Sequence, residues 1–85
     1  MKKRKLYVVK FSISCKDDFA VVKVFASKLR AQQYVESECK NIFKDKFNPS
    51  YGCWEDDLNY VYDSHDEHCW FYYWELEETD VDDGV

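Results

Sequence analysis

Two cysteines and two histidines lie close together in the second half of the chain, at Cys53, His65, His68 and Cys69. Thiolate and imidazole are the ligands that tetrahedral zinc prefers, and a thiol beside an imidazole can also act as a nucleophile. Neither interpretation has diagnostic spacing, because the chain has no Cys-x-x-Cys pair and no His-x-x-x-His pair, and both histidines lie among acidic residues typical of a solvated loop. A small metal-binding domain is kept as an alternative, and no metal or other cofactor is expected.

Other kinds of catalytic site also lack their usual residues. Phosphate-binding loops need clustered glycines, and this chain has two separate ones, Gly52 and Gly84. The neighbouring carboxylates Asp56 and Asp57 could serve as an acid and a base, but acids in a run usually form a solvated face. We therefore expect a protein without enzymatic activity.

The distribution of charge is the strongest functional signal in the sequence. Residues 1–46 hold all 12 Lys and Arg, whereas residues 47–85 hold 12 of the 17 acids, and the net charge is −5. Pairing of a basic first strand with an acidic last strand explains part of this separation, since each opposite-charge contact contributes about 0.2–1 kcal/mol. The remaining acids lie among large aromatic side chains, which favours a surface that binds a basic groove on another protein. The predicted partner-binding residues are Trp54, Glu55, Asp56, Asp57, Asp63, Asp66, Glu67, Glu75 and Glu77.

The basic start of the chain supports an alternative function. Lys2, Lys3, Arg4 and Lys5 could make the first half a nucleic-acid-binding accessory module. The net negative charge opposes long-range attraction to phosphate, so direct nucleic-acid binding is not favoured.

Hydropathy bears on location. No run approaches the roughly 20 apolar residues that cross a bilayer, and no export-signal pattern follows the basic start. We expect a cytoplasmic protein that makes no membrane contact and whose four cysteines are reduced thiols.

The elements that position these residues follow from hydrophobic periodicity. Residues 5–14 alternate between apolar and polar types, and residues 19–26 are rich in β-branched and aromatic types, which predicts an antiparallel hairpin with its turn at 15–18. Ser27 can cap a helix, and the pattern over 28–46 is that of an amphipathic helix.

The second half of the chain is less regular. Residues 57–63 are predicted as a weak strand, with a short helix from Trp54 as the alternative. The aromatic run over 69–78 predicts a strand at the centre of a sheet.

Together these elements predict an α+β fold, ββαββ or ββαβ, in which one amphipathic helix packs on one face of a small antiparallel sheet. We expect one domain over 1–85, with a basic extension at 1–4 and an acidic, frayed tail at 79–85. The 16 aromatic side chains exceed what one thin core can cover, so the open face of the sheet predicts a homodimer.

The segments KLYVVKF, VFAS, KLRAQQY and WFYYWELEE together resemble the small, uncharacterised accessory proteins that phages and prophages encode. The resemblance implies a protein that acts in the host cytoplasm by binding a host or defence component. An inhibitor whose acidic surface imitates the phosphate backbone of nucleic acid is the form that best suits this sequence. The resemblance includes no catalytic or ligand motif, so no functional residue is transferred from it.

Overall fold

The computed structural model describes residues 2–14 and 19–83, and it describes side chains for 4–14 and 19–81. Five strands and one helix follow in the order β1 (Lys2–Ile13), β2 (Ala20–Phe25), α1 (Lys28–Phe43), β3 (Gly52–Asp56), β4 (Asn59–Asp63) and β5 (Phe71–Asp83). Two short 3-10 turns, Lys44–Lys46 and Pro49–Tyr51, connect α1 to β3. The fold class is therefore the predicted one, a small α+β fold.

The strands form one antiparallel sheet in the order β2-β1-β5-β4-β3. β5 lies at the centre, between β1 and β4, which confirms the prediction of a central aromatic strand. Its register places Leu76 opposite Val9 and Trp74 opposite both Phe11 and Tyr60. Because side chains alternate along each strand, these residues share one face of the sheet.

The core lies between that face and α1. The helix contributes Ala31, Val35 and Cys39, which follow one another at a spacing of four residues and are fully buried. The sheet contributes side chains from β1, β4 and β5, and aromatic rings fill the layer between them, as in the stacked pair of Phe43 and Tyr62 with ring centroids 4.3 Å apart. The buried apolar residues of the sheet are Tyr7, Val9, Tyr60, Tyr62, Trp74 and Leu76.

The helix begins as predicted and ends earlier. The Ser27 hydroxyl accepts a hydrogen bond from the Arg30 amide at 3.3 Å, which confirms Ser27 as the N-cap. The helix ends at Phe43, because Lys44 adopts a positive φ of 50° that leaves the helical region. The predicted last turn of the helix is the 3-10 turn Lys44–Lys46.

Between residues 47 and 63 the structure adds a strand that the sequence did not predict. Residues 52–56 pair with 59–63 as the β3–β4 hairpin, so the order of elements is ββαβββ. The pairing is irregular between Trp54 and Asp56, and neither residue belongs to a helix.

The two ends of the chain also differ from expectation. β5 continues to Asp83, where a frayed tail was predicted from Thr79, and Lys2, Lys3 and Arg4 belong to β1 and not to an extension. Each segment provides the hydrogen-bonding partner of the other, from Lys2 opposite Asp83 to Leu6 opposite Thr79. The predicted turn at 15–18 and the last two residues of the predicted tail lie outside the described residues.

No helix in the described part of the chain is long and apolar enough to cross a membrane.

Candidate functional site

The antiparallel pairing of β1 with β5 brings the basic and acidic segments of the chain together. Lys5 Nζ lies 2.8 Å from Glu78 Oε1, and Lys10 Nζ forms an ion pair with Glu77 Oε2. The hydrogen bond from Lys5 lowers the pKa of the Glu78 carboxyl below its ordinary value. Cross-strand ion pairing therefore accounts for part of the charge separation, as the sequence predicted.

Three of the nine predicted partner-binding residues face basic partners within the chain. Glu77 is paired with Lys10, and Glu75 lies opposite Lys10 in the sheet register. Asp57 accepts a hydrogen bond from Lys28 Nζ at 2.7 Å, and that hydrogen bond lowers the pKa of its carboxyl. These three carboxylates contribute less to an attractive field than their number suggests.

The turn between β3 and β4 is organised by one carboxylate. Asp56 Oδ1 accepts hydrogen bonds from the Leu58 amide at 2.8 Å and from Asn59 Nδ2 at 3.0 Å. The adjacent Glu55 side chain is exposed, at the point where the β3–β4 pairing is irregular. The turn thus presents two neighbouring acids to solvent, and one of them also stabilises the turn.

The loop that joins β4 to β5 is built from side-chain caps on its own backbone. Asp63 Oδ1 accepts from the His65 amide at 3.0 Å, the Ser64 hydroxyl from the Asp66 amide at 3.2 Å, and Asp66 Oδ1 from the His68 amide at 2.9 Å. Residues 65–68 are exposed. The predicted residue Asp66 is therefore fixed on the surface by local hydrogen bonds, and the predicted residue Glu67 is exposed beside it.

Trp54, one of the predicted partner-binding residues, is half-buried between β3 and α1. Its Nε1 donates to Glu36 Oε2 at 3.2 Å, and its ring centroid lies 5.0 Å from that of Tyr60. The half-buried indole thus connects β3 to α1.

Three exposed aromatic residues in or beside the β4–β5 loop were not among the predicted site residues. Trp70 is 51% exposed, Tyr51 is 40% exposed with its ring 4.1 Å from that of His65, and Phe71 is 37% exposed. The alternation of Tyr72, Trp74 and Leu76 would place Trp70 on the buried face, but β5 begins only at Phe71 and Trp70 lies in the loop. No periodic signal in the sequence distinguishes Trp70 from its buried neighbours.

A groove of about 530 Å³ lies between α1 and β3. The Tyr60 ring forms part of its floor and approaches Gly52 so closely that a Cβ at this position would overlap the tyrosine hydroxyl. Beneath it, burial raises the pKa of the Cys39 thiol to about 12. The groove is lined by Gln33, Glu36, Ser37, Lys40, Phe47, Pro49, Gly52, Cys53, Trp54 and Tyr60.

The cysteines and histidines considered for metal binding are divided between two places. Cys53 lines the groove beside α1, whereas His65 and His68 line a separate pocket with Phe43 and Lys46. Across the described ranges, no group of three or more His, Cys, Asp or Glu is placed to hold a metal ion.

The cysteines are not all reduced. Cys39 and Cys53 are free thiols, the first buried and the second exposed. Cys69 is disulfide-bonded, so the expectation of four reduced thiols is wrong at that position. Sequence gave no sign of this, because a cysteine's partner depends on the fold and not on local spacing.

No protein family, curated protein sequence or solved structure matches this chain. The function is therefore inferred from the residues and their arrangement.

Proposed function

We propose that this protein is a non-enzymatic binding module that engages a positively charged surface of another protein. It does so through an acidic edge, which we define as Glu55, Asp56, Asp63, Asp66 and Glu67. The acids on β5 face the lysines of β1, whereas the acidic edge belongs to residues 47–70, a segment with no Lys or Arg. This unequal compensation of charge is the observation that carries the proposal.

Electrostatics and aromatic contacts have different roles in such a surface. A field of one sign raises the rate of encounter with an oppositely charged partner, whereas buried aromatic anchors slow dissociation. The exposed rings of Tyr51, Trp70 and Phe71 lie in or beside the β4–β5 loop and are suited to act as the anchors that slow dissociation. One lysine, Lys46, lines the same pocket as Asp66 and Glu67.

A more specific form of the proposal is an inhibitor of a host or defence protein, in which the acidic edge occupies a groove that otherwise holds nucleic acid. Its support is the row of fixed carboxylates, since those of Asp63 and Asp66 are held in place by backbone amides. Fixed anionic groups can imitate phosphates without the ordering cost of flexible side chains.

Association kinetics with an immobilised decalysine peptide test the electrostatic part. The triple variant E55Q/D66N/E67Q should associate at least fivefold more slowly and show a shallower dependence on NaCl concentration. The matched control is E75Q/E77Q/E78Q, which changes the net charge equally but alters the segment that faces β1. Equal slowing in both variants would mean that net charge alone is responsible and would contradict the proposal.

The aromatic contribution is tested by dissociation kinetics of W70A from the same peptide surface. A hot-spot residue contributes about 2 kcal/mol, which corresponds to roughly 30-fold faster dissociation at unchanged association rate. L29A is the matched control, because Leu29 is 62% exposed but lies on α1. Circular dichroism of each variant verifies the fold, and identical dissociation of both variants would remove Trp70 from the binding surface.

A further inference from the structure

The β3–β4 hairpin is attached to α1 at one end and separated from it at the other. At the turn, Lys28 Nζ contacts Asp57 Oδ2 at 2.7 Å, and Gln32 Nε2 donates to the Asp57 carbonyl at 2.8 Å. Towards the start of β3, the walls of the groove are formed by helix residues on one side and by Gly52 to Trp54 on the other. The groove therefore lies along β3 and is bounded by α1.

β3 is also an edge strand. It pairs with β4 on one side and, among the described residues, with no other strand. An edge strand presents backbone N–H and C=O groups that can pair with another chain, and an adjacent helix can form pockets for alternate side chains of that chain. An edge strand beside a helical wall is the arrangement used for binding extended peptides by strand addition.

The charges along this groove differ between its two ends. Three contacts show that α1 runs antiparallel to β3. Lys28 and Gln32 contact Asp57 beyond the end of the strand, and Glu36 contacts Trp54 within it. Lys40 follows one turn later and lines the groove with Gly52. The acids Glu55 and Asp56 lie at the opposite end of β3.

We propose that the groove binds an extended segment of the partner protein, which adds to β3 as an antiparallel strand. The proposal rests on the proposed function and specifies how the partner is bound. An antiparallel strand begins near Asp56 and ends near Gly52, so its basic residues belong at the N-terminal end and a carboxylate at the C-terminal end meets Lys40. An apolar side chain of the segment enters the groove beside Trp54.

Two labelled octapeptides of identical composition test this direction. The forward peptide is Lys-Lys-Lys-Val-Thr-Val-Thr-Val with a free carboxylate, and the reversed peptide is Val-Thr-Val-Thr-Val-Lys-Lys-Lys with a free carboxylate. Strand addition in the proposed direction should make the forward peptide bind at least fivefold more tightly by fluorescence anisotropy. Methylation of alternate backbone nitrogens, which removes donors but keeps the side chains, should weaken it at least tenfold in one of the two alternating patterns.

Variants of the protein locate the site. S37W places an indole in the groove and should weaken the forward peptide at least tenfold, whereas N41W, an exposed helix position that does not line the groove, should change it less than twofold. Amide chemical shifts should change in Gly52–Asp56 on binding. If S37W does not fold by circular dichroism, those shifts and the peptide comparison decide.

Three results would overturn the inference. Equal affinities for the forward and reversed peptides, both reduced in E55Q/D66N/E67Q, would leave the acidic edge as the binding surface and exclude strand addition. Shift changes confined to residues 63–68 would do the same. If the forward peptide does not bind at 1 mM, its binding free energy is weaker than about 4 kcal/mol and strand addition is excluded. Association with decalysine would still report on the acidic edge.

Discussion

The contact between Gly52 and Tyr60 shows how one residue type is fixed by packing. Gly52 has a φ of −106°, which any residue adopts, so backbone freedom does not require a glycine here. The requirement is spatial, because the hydroxyl of the buried Tyr60 occupies the volume of a Cβ at this position. The glycine thus lets β3 lie against the aromatic layer under the groove.

The substitution G52A should lower the free energy of unfolding by about 1–3 kcal/mol, since overpacking a buried contact forces neighbouring side chains out of position. Chemical denaturation measures the loss. The matched control is C53A at the next residue, whose side chain is exposed, and it should change stability by less than about 0.5 kcal/mol. In a Y60F background the cost of G52A should be smaller, and an undiminished cost would show that the hydroxyl is not the obstacle.

The buried thiol of Cys39 makes stability depend on alkaline pH. Desolvation raises its pKa from an ordinary value of 9.0 to about 12 in the folded protein. Above pH 9 the unfolded chain therefore loses the thiol proton while the folded protein keeps it, and stability falls as pH rises towards 12. Within this window each pH unit lowers the free energy of unfolding by about 1.4 kcal/mol for a single group.

Urea denaturation of the wild-type protein and of C39V between pH 8 and pH 10 isolates this effect, because ionisation of the tyrosines contributes to both proteins. Between pH 8 and pH 10 the wild-type protein should lose about 1 kcal/mol more than C39V, which keeps a buried apolar side chain of similar size. Parallel pH profiles for the two proteins would contradict the assignment of the loss to Cys39.

At the scale of single elements, the end of α1 is under backbone strain. Lys44 has a φ of 50° and a ψ of −118°, a conformation that a residue with a Cβ adopts at a cost of about 1–3 kcal/mol. Its amide nevertheless donates to the Lys40 carbonyl, which is how a glycine commonly ends a helix.

The substitution K44G should raise the free energy of unfolding by about 0.5–1 kcal/mol, because the relief of strain exceeds the additional entropy of a glycine in the unfolded chain. K44A is the matched control, since it removes the same charge but keeps the Cβ. Thermal unfolding compares the two variants, and equal melting temperatures would indicate that charge, not backbone conformation, sets the effect.

Most of the elements could be predicted because their periodicity matches their environment. β1 and α1 each have one buried face, so alternation in the first and four-residue spacing in the second mark them in the sequence. β3 has neither signal, because Gly52 to Asp56 contains no β-branched residue and the strand is an irregular edge. Its existence depends on the hairpin with β4 and on contacts with α1, which no local pattern encodes.

The acidic residues illustrate the same limit for the candidate site. Composition placed the acids in the second half of the chain but could not distinguish Glu77, which pairs with Lys10, from Glu67, which is exposed in a loop. It also predicted a frayed tail where β5 continues, because carboxylates near the end of a chain are typical of disorder unless a basic strand lies opposite. Cross-strand register decides both cases, and register becomes known only with the fold.

At the scale of the whole molecule, β1 and β5 are longer than the other strands. The protein measures 50 × 24 × 20 Å. Residues 2–6 and 79–83 pair with each other where neither β2 nor β4 is alongside, so they form a two-stranded ribbon. On the face opposite the helix, Val8 pairs with Val24, which is 49% exposed. β2 itself is an edge strand whose valines are exposed.

We expect a homodimer that covers this apolar face and the β2 edge. Light scattering at tens of micromolar should give about twice the monomer mass of 10.3 kDa. V24K introduces a charge on the open face without contact with the helix side and should restore the monomer mass. K23E, on the opposite face of the same strand, is the control, and a wild-type mass of 10.3 kDa would contradict the expectation.

The two strands at the centre of the sheet are among those farthest apart in the chain, and this separation has a consequence during synthesis. At about 5–20 residues per second, several seconds pass between the completion of β1 and the appearance of β5 on the ribosome. During that interval the nascent chain has no partner for the β5-facing edge of β1, and the apolar side of α1 lacks Trp74 and Leu76 of β5. Contacts of such long sequence separation also form slowly. A chaperone that shields exposed apolar segments should therefore increase the yield of folded protein more than it increases final stability, because the vulnerable species is the incomplete chain and not the native one.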